Sequence, residues 1–587
     1  MDIYILTLAL SVLLFVVVGT WSGRGIRNLD DYYVAGRRAP TLLIVGSLVA
    51  SVFSTSIFLG EAGFTYDGQM GPYLLFPGIA VIGYIYGALL FGTFLRRSRA
   101  PTVADYFGQR FDDPRVQKAA GITIILGLGG YLLVVTQGAA ILLSELMPLT
   151  YGQSLVLTWL GYTLFTLYAG SRGVILTDTL MFLLFTVATV LFVGYIVDGF
   201  GGVTAAIGDV ATLDSKPDIA SWHGTVGAGT YWPTPLDYLI WAIVIDMAWG
   251  IVYAVSPWQA SRHLMARDEH VVLRAAIYAC FAVILLQILI YGIGGLINIA
   301  NPDITPSETV ILWAARNLVP DFLGALLIAG IMAAALSSAS TFLSLVGFSV
   351  SNDLMGHGDE RSLAFTRMVM AATGLSALAL SFVFPPNVFW LMLFIGTVFA
   401  SSWGPVALMS VWSDRITGRA AFWGMTTGFL GNVIPAAVEY AGVITWPYLL
   451  QPVVIGAALA LGSIYWISSR DAVSAREREY REQLHVVPST DRDANKTRLT
   501  LFAPWCLIAY GCLIPVLMIN FYVIPYQRAS GQLLSDGSLN WNTGEVLVSL
   551  TTPVIYIALG LIAARIIHNR YGEPPSASPL TEPSIAP

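Results

Sequence analysis

Two adjacent hydroxyl residues, Ser337 and Ser338, lie in the middle of an apolar stretch that runs from 323 to 350. Hydroxyls at bilayer depth need a partner, because hydrocarbon offers neither donors nor acceptors. One interpretation is that each serine donates to the carbonyl one turn earlier, as serines in membrane helices often do. The other is that both oxygens face a cation or a polar solute. The pair by itself favours the first interpretation.

A second apolar stretch, residues 41–65, shifts the balance because it is interrupted by small and hydroxyl side chains. The interrupting residues are Ala50, Ser51, Ser54, Thr55 and Ser56. Interrupted membrane helices in the two halves of a chain are typical of secondary transporters, whose binding sites form at the breaks. We therefore expect the 41–65 and 323–350 segments to be discontinuous and to share one site.

The overall composition identifies a membrane protein. The chain has 587 residues, of which 56% are hydrophobic and 11% charged, and its mean hydropathy is +0.71. Soluble globular domains do not have this balance. The three cysteines, Cys280, Cys506 and Cys512, all fall in apolar stretches and are expected to be small core residues. No basic run with interleaved aromatic residues suggests a nucleic-acid partner.

Apolar stretches long enough to span a bilayer recur along the chain, and fifteen spans are predicted. They lie near 3–21, 41–65, 72–95, 119–147, 151–169, 174–198, 237–258, 274–299, 322–349, 367–384, 388–413, 420–441, 446–468, 501–524 and 546–566.

Lysine and arginine predict the orientation of these spans. With the N-terminus outside and alternating spans, 27 of the 30 basic residues are cytoplasmic, and only Lys216, Arg316 and Arg528 lie outside. This is the positive-inside pattern of membrane proteins. It predicts an outside N-terminus and an inside C-terminus, and it supports an odd number of spans, because losing one span would reverse every later loop.

The predicted topology contains an inverted repeat. Spans two to six begin inside and spans seven to eleven begin outside, so the two groups of five are related by inversion. We therefore expect an all-α polytopic membrane protein with a five-plus-five core and additional helices. The predicted divisions are 1–40 for the first helix and a cytoplasmic loop, 41–199 for the first repeat, 200–236 for an extracytoplasmic loop, 237–419 for the second repeat, 420–468 for spans twelve and thirteen, 469–500 for a charged cytoplasmic loop, 501–566 for two extra spans, and 567–587 for a disordered, Pro/Ser-rich cytoplasmic tail.

The sequence gives less support to a channel, an enzyme or a sensor. A channel needs rings of repeated polar residues around a symmetric pore, and none is visible. A membrane enzyme needs clustered His, Asp or Glu side chains, whereas all six histidines fall in predicted loops or at interfaces. A membrane sensor or receptor, which binds solute through a transporter-like domain and signals to a partner, stays open as the alternative.

Five stretches of sequence, in order along the chain, resemble the sodium:solute symporter family, which includes sodium/proline and sodium/glucose symporters. They are LDDYYVAGRRAP (29–40), TVADYFGQRFDD (102–113), YAGSRGVILTD (168–178), AALSSAS (334–340) and GPVALMSVWSDRITGRAAFWGMTTG (404–428). The resemblance covers the chain from about residue 1 to about residue 470. It implies a LeuT-like fold with the five-plus-five architecture, and transport rather than enzymatic activity.

The resemblance also implies a Na⁺ site between spans two and nine. Na⁺ is a hard cation that takes oxygen donors, which broken helices supply as backbone carbonyls and neighbouring residues as hydroxyls. The implied donors are the carbonyls of Ala50, Phe53 and Ala334 and the hydroxyls of Ser337 and Ser338. Ala334 lies three and four residues before the serines, so these three residues share one face of a helix.

Asp178 is the next candidate, because an acid inside an apolar stretch is costly and therefore functional by default. One interpretation places it at the cytoplasmic start of span six, where it caps the helix. The family resemblance implies an ion-pathway carboxylate, or a second Na⁺ site with the hydroxyls of Ser338 and Ser340. The chain also departs from the sodium/proline symporter, because Val52 stands where that protein has an aspartate. Glu61, about two turns further along, is too distant to replace it.

The substrate region is predicted around span seven. Trp249, Tyr253 and Pro257 are spaced by four residues on one helix face, and Pro257 breaks the helical hydrogen bonding. The sodium/proline symporter has the same spacing beside its substrate, although a packing stripe with a structural kink would give the same pattern. The further substrate candidates are Ser54, Thr55, Ser56, Gln137 and Trp403. No buried Arg or Lys offers itself as a partner for a substrate carboxylate.

The combined prediction is Na⁺-coupled symport of a small polar organic solute by alternating access. An amino acid such as proline, or another small zwitterion, is favoured, and a small monocarboxylate comes next. The expected partners are the solute, Na⁺ as coupling ion and the lipid bilayer, with no nucleic acid and no organic cofactor. The expected location is the cytoplasmic membrane, as a multi-pass protein.

Overall fold

A computed structural model describes residues 2–24, 29–355 and 363–572 of the chain. Within these ranges it contains helices, turns and one isolated parallel bridge between Ala39 and Ala266, and no strand. Helices that match all fifteen predicted spans are labelled α1 to α15. They are α1 (Ile3–Gly23), α2 (Thr41–Val52 with Ser56–Leu75), α3 (Gly78–Ser98), α4 (Pro114–Leu146), α5 (151–169), α6 (Gly170–Gly199), α7 (Pro235–Met265), α8 (Glu269–Ile299), α9 (Asp321–Leu354), α10 (Leu363–Val383), α11 (Val388–Trp412), α12 (Gly418–Tyr440), α13 (Pro452–Ser468), α14 (Ala494–Ala529) and α15 (Gly544–Tyr571).

The number of membrane crossings is partly supported by length and composition. Among the described residues, eleven helices are long and apolar enough to cross a bilayer, and α2 makes a twelfth if its two halves count as one span. The all-α, polytopic prediction is therefore confirmed. The count of fifteen crossings and the orientation of the termini stay predictions.

Helix α2 is broken near its middle, as predicted. Its first half ends at Val52, Phe53 is extended (φ −69°, ψ 117°), and the second half starts at Ser56 after a bend of 53°. The Ser54 hydroxyl accepts a hydrogen bond from the Ser56 backbone N–H (3.1 Å) and so caps the new helix. The break leaves carbonyls in the last turn of the first half without helical partners.

The predicted break in the 323–350 segment is wrong. Helix α9 continues without interruption through Ser337 and Ser338, because the surrounding Ala and Leu residues are strong helix formers and no Gly or Pro lies at the serines. The second broken helix is α7, in which Ser256 is non-helical (φ −58°, ψ 146°) and Pro257 starts a new helical segment. The breaks thus fall in α2 and α7, the first helix of each predicted repeat.

The two broken helices are joined by their backbones. The N–H of Ala39, just before α2, donates to the carbonyl of Met265 at the end of α7 (3.1 Å). The N–H of Arg267 donates in return to the carbonyl of Ala39 (3.0 Å). This pair of hydrogen bonds is called the backbone clasp below.

Helices α5 and α6 meet at a kink at Gly170, which has φ 48° and ψ −168°. A side chain there is excluded, because a Cβ atom would lie 2.4 Å from the ring of Tyr32. Helix α6 therefore begins at Gly170 instead of the predicted 174. Asp178 consequently lies in the third turn of α6 and not at its start.

The remaining helices surround the core. Helix α1 packs against α6 and α9, the α12–α13 pair against α11, and the α14–α15 pair against α8. The predicted charged loop contains a helix, Ala475–His485, which is docked beneath the core by hydrogen bonds from Arg97 to the Leu484 carbonyl (2.6 Å) and from Arg110 to the Glu477 carbonyl (3.2 Å). The predicted tail begins later than expected, because α15 reaches Tyr571, and residues 573–587 lie outside the described residues.

Candidate functional site

The break in α2 faces the hydroxyl of Ser338 on α9. The Ser338 Oγ lies 3.0 Å from the Phe53 carbonyl oxygen and 3.4 Å from that of Ala50, and all three residues are buried. Three of the five oxygens assigned to Na⁺ from the sequence therefore converge at one point. The arrangement presents neutral oxygens from a broken helix and a neighbouring hydroxyl, as Na⁺ sites in membrane transporters do.

The other predicted ion-site residues lie close by with different contacts. Ala334 is buried one turn before the serines on α9. The Ser337 hydroxyl donates to Asp178 Oδ1 (2.6 Å), and only the Ser340 hydroxyl bonds back to its own helix, at the Ser337 carbonyl (2.9 Å). The back-bonding interpretation is therefore wrong for Ser337 and Ser338.

Asp178 is fully buried and receives several hydrogen bonds. Its Oδ1 accepts from Ser337, and its Oδ2 accepts from Ser47 on α2 (2.5 Å) and from Arg262 Nη2 (3.2 Å). The interpretation of Asp178 as an interfacial helix cap is therefore wrong. The carboxylate instead connects α6 to α2, α7 and α9.

Arg262 also belongs to this buried cluster, and sequence analysis missed it. Its side chain is 2% exposed and forms a salt bridge with Asp178. It also donates to Ser47 Oγ (3.0 Å) and to Thr341 Oγ1 (2.6 Å). The sequence placed Arg262 in a cytoplasmic loop because residues 257–265 are polar, but the segment is a buried helix after the α7 break. Arg262 is thus a buried cation, but its partner is Asp178 of the protein itself.

A cavity of about 60 Å³ lies on the other side of the α2 break. It is bounded by the second half of α2, by α7 and by α8, with contributions from α3, α4 and α11, and we call it the aromatic cavity. Two predicted substrate residues, Trp249 and Tyr253, line it, with ring centroids 6.0 Å apart. It is smaller than the ~150 Å³ cavity that admits benzene in a well-studied protein, so a bound solute requires the helices to move apart.

Two acidic residues line the aromatic cavity and were not assigned from the sequence. They are Glu61 on α2 and Asp246 on α7. Glu61 Oε2 accepts a hydrogen bond from the hydroxyl of Tyr291 on α8, whereas Asp246 has no hydrogen-bonding or ion-pair partner within the described ranges. The sequence could have indicated both residues, because an acid inside an apolar span marks a functional site by default.

The hydroxyl residues at the α2 break do not line the aromatic cavity. Ser54 caps the second half of α2, and the Thr55 hydroxyl donates to the Val135 carbonyl of α4 (3.4 Å). The Ser56 hydroxyl is buried and has no hydrogen-bond partner among the described residues. It therefore retains an unused polar group beside the break.

The other three predicted substrate residues also lie outside the aromatic cavity. The Gln137 amide donates to the Phe384 carbonyl (2.7 Å). Trp403 packs edge-on against Phe107 and Phe399. Pro257 forms the start of the second segment of α7 and lines a separate small cavity beneath the break.

The sequence matches the profile of the Sodium:solute symporter family over residues 32–428, which is more than half of the chain. This protein belongs to the sodium:solute symporter family. The sodium/pantothenate symporter of Haemophilus influenzae is 25% identical to it over 422 residues, covering 69% of this chain and 84% of the relative. The sodium/proline symporter of Escherichia coli is 24% identical over 446 residues, covering 71% and 85%.

A solved structure shows that the fold of this symporter is shared. The structure of a Na⁺-coupled sialic acid symporter in a substrate-bound, outward-open state covers 81% of this chain and 99% of its own, with a TM-score of 0.68 and 19% identity. The likeness supports a LeuT-like core. The family assignment confirms a multi-pass membrane transporter that uses Na⁺, and the relatives are transporters, not enzymes.

Proposed function

We propose that this symporter uses one Na⁺ ion per cycle to drive uptake of a small polar organic solute that carries an ammonium group. The observation that supports the Na⁺ site most directly is the convergence of Ser338 Oγ on the carbonyls of Ala50 and Phe53. A cation at this point would replace the hydroxyl proton as the partner of both carbonyls. It would hold the broken α2 against α9 and so favour one arrangement of the core.

The proposal of a single ion rests on Asp178. This carboxylate already receives Ser47, Ser337 and the guanidinium of Arg262. The arginine supplies the positive charge that a second Na⁺ beside Asp178 and Ser340 would supply. We therefore assign Asp178 to the ion pathway. Na⁺ cannot bind to its carboxylate while Arg262 is paired with it.

The proposed solute class rests on the lining of the aromatic cavity. The cavity presents carboxylates from Glu61 and Asp246, and its lining contains no Lys, Arg or His. A monocarboxylate, the second expectation from the sequence, would meet like charge there, so we set it aside. Proline, the solute in the name of one relative, carries the required ammonium group.

In the proposed cycle, Na⁺ and solute bind from outside and are released inside after the core rearranges. A membrane potential of 100 mV supplies about 2.3 kcal/mol for each positive charge that enters. For one Na⁺ with a neutral solute this corresponds to a solute gradient of roughly 50-fold. The chemical gradient of Na⁺ adds to that driving force.

Uptake into liposomes tests the proposal. Purified protein is reconstituted, an inward Na⁺ gradient is imposed, and labelled amino acids, amines, carboxylates and sugars are supplied in turn. The proposal expects saturable, Na⁺-driven accumulation of ammonium-bearing solutes. Solute binding without flux would indicate the alternative sensor function, and unsaturable flux would indicate a channel.

A further inference from the structure

The aromatic cavity has a charge pattern that is more specific than the general solute class. We infer that it selects a small organic cation, that is, an ammonium compound without a carboxylate, and that Glu61 and Asp246 are its charge partners. This inference rests on the proposed function and narrows its substrate. The observations that support it are charge, aromatic lining, an unpaired acceptor and the distance from the Na⁺ site.

The first observation is that two acids share the cavity without a basic partner. Glu61 comes from α2 and Asp246 from α7, and none of the lining residues is Lys, Arg or His. A phenol proton from Tyr291 is the contact that Glu61 has, and Asp246 has no polar partner within the described part of the chain. Carboxylates at membrane depth are normally paired, so a cation supplied by the solute would complete the site.

The second observation is the aromatic lining. Eight aromatic residues line the cavity together with the two acids: Tyr73, Phe76, Tyr131, Tyr238, Trp241, Trp249, Tyr253 and Tyr291. The faces of aromatic rings attract organic cations, and quaternary ammonium groups are recognised by such cages. Carboxylates with aromatic faces therefore match an ammonium group and its alkyl substituents, whereas a solute carboxylate would be repelled.

The third observation is an unpaired polar atom on α8. Gln287 lines the aromatic cavity, is only 5% exposed, and its Oε1 has no hydrogen-bond partner among the described residues. A buried acceptor without a donor is unfavourable, and an ammonium N–H or a solute hydroxyl would satisfy it. The indole N–H of Trp249 is similarly buried and unpaired, and it suits an oxygen atom of the solute.

The fourth observation separates these acids from the Na⁺ site. Glu61 lies eight residues beyond Phe53 on the far side of the α2 break, which corresponds to about 12 Å along a helix. Glu61 is therefore too distant to coordinate the ion held by Ala50, Phe53 and Ser338. Asp246 lines the same cavity as Glu61, so both acids are available for a second, organic cation.

Matched pairs of solutes test the inference, with the wild-type protein in proteoliposomes under an inward Na⁺ gradient and in thermal-shift binding assays with Na⁺ present. Choline has a hydroxymethyl group where glycine betaine has a carboxylate. Pyrrolidine is proline without its carboxylate. We expect the cation of each pair to bind about tenfold or more tightly than its zwitterion. Equal or tighter binding of the zwitterions would overturn the inference.

Isosteric variants test the assigned charge partners. Glu61→Gln and Asp246→Asn should each weaken binding of the preferred cation by about 10- to 100-fold, while Na⁺-induced thermal stabilisation without solute stays at the wild-type level. Asp303→Asn, in an exposed loop, is the matched control and should change neither quantity. Unchanged cation affinity in both variants, or altered Na⁺ affinity with unaltered solute affinity, would refute the assignment.

The outcomes separate the inference from the proposed function. Na⁺-driven uptake of zwitterions in preference to cations would leave the proposed function standing and remove the inference. Tight binding of cations that requires Glu61 and Asp246, but no Na⁺-dependent flux, would keep the inferred site and remove the proposed transport.

Discussion

Acidic residues lie on opposite sides of the α2 break, and their surroundings differ. Asp178 is fully buried and is surrounded by donors, including the guanidinium of Arg262. Glu61 and Asp246 border a cavity and have a tyrosine hydroxyl as their described polar contact. Asp178 thus has a positively charged partner within the protein, whereas Glu61 and Asp246 have none among the described residues.

The difference in countercharge indicates different roles for Asp178 and for the two cavity acids. An acid paired within the protein connects helices, and its pair must separate if the helices move apart. Acids that face a cavity without a countercharge are suited to bind a ligand that brings one. Charge in a membrane helix is therefore informative only together with the space and the partners around it.

The largest expected effect concerns the built-in pair. Arg262→Met should lower the free energy of unfolding by about 3–5 kcal/mol, because it leaves Asp178 buried without its countercharge. Thermal unfolding of the purified protein would measure this loss. Adding Asp178→Asn should recover part of it, and Arg267→Met, whose side chain is 59% exposed, should have little effect. An Arg262→Met variant as stable as the wild type would contradict the comparison.

The next largest effect concerns the aromatic cavity. Trp249→Ala and Tyr253→Ala should each weaken solute binding by about tenfold or more, because each removes an aromatic contact from the solute. Na⁺ binding without solute should change less. Trp403→Ala is the control, since Trp403 packs against Phe107 and Phe399 outside the cavity. Loss of stability with unaltered solute affinity would show instead that Trp249 and Tyr253 form only a packing stripe.

A smaller effect, on the Na⁺ dependence of uptake, should distinguish Ser338 from Ser337. Ser338→Ala should raise the Na⁺ concentration for half-maximal uptake by about five- to tenfold, because it removes an oxygen beside the carbonyls of Ala50 and Phe53. Ser337→Ala should have a weaker effect, since its hydroxyl contacts Asp178. Na⁺-dependent uptake and Na⁺-dependent thermal stabilisation would both report the difference. Unchanged Na⁺ dependence in both variants would remove the site assignment.

The smallest effect on stability is expected at Glu61 and Asp246, the acids without a countercharge. Glu61→Gln and Asp246→Asn should leave the unfolding temperature without solute unchanged or slightly higher, because each removes a charge that lacks a countercharge. This result would have the opposite sign to that of Arg262→Met. A large loss of stability in both variants would mean that the two regions are structural in the same way.

Cysteine labelling would establish which solution each region faces. In a Cys-free background, single cysteines in the 201–236 loop should react with an impermeant thiol reagent from outside, and cysteines in the 470–498 loop or the 571–587 tail should not. No energetic change is expected. Labelling of the tail from outside would show that the predicted crossings are miscounted by one.

The parts of the fold that follow local rules could be predicted from the sequence. The positions of the helices follow from apolar length, and the α2 break follows from its hydroxyl-rich interruption. The convergence of Ala50, Phe53 and Ser338 was reached by combining that break with a family resemblance.

The parts that depend on tertiary contact could not be predicted. Arg262 lies in a polar segment that has the composition of a loop, and only its contacts with Ser47, Asp178 and Thr341 make its burial favourable. The serines of α9 were expected to mark a break, but their partners lie on other helices. Asp246 is an isolated acid in the apolar middle of α7, and the sequence gives no sign that Glu61 lies beside the same cavity.

The backbone clasp has a consequence for sequence divergence. Because main-chain atoms of Ala39, Met265 and Arg267 form it, its geometry does not depend on which side chains stand at these positions. Since the Arg267 side chain is 59% exposed, homologous chains can vary at this position and keep the two broken helices joined. Proline is the exception at 267, since it would delete the donated N–H. A scan of all substitutions should thus tolerate most residues at position 267 and reject proline.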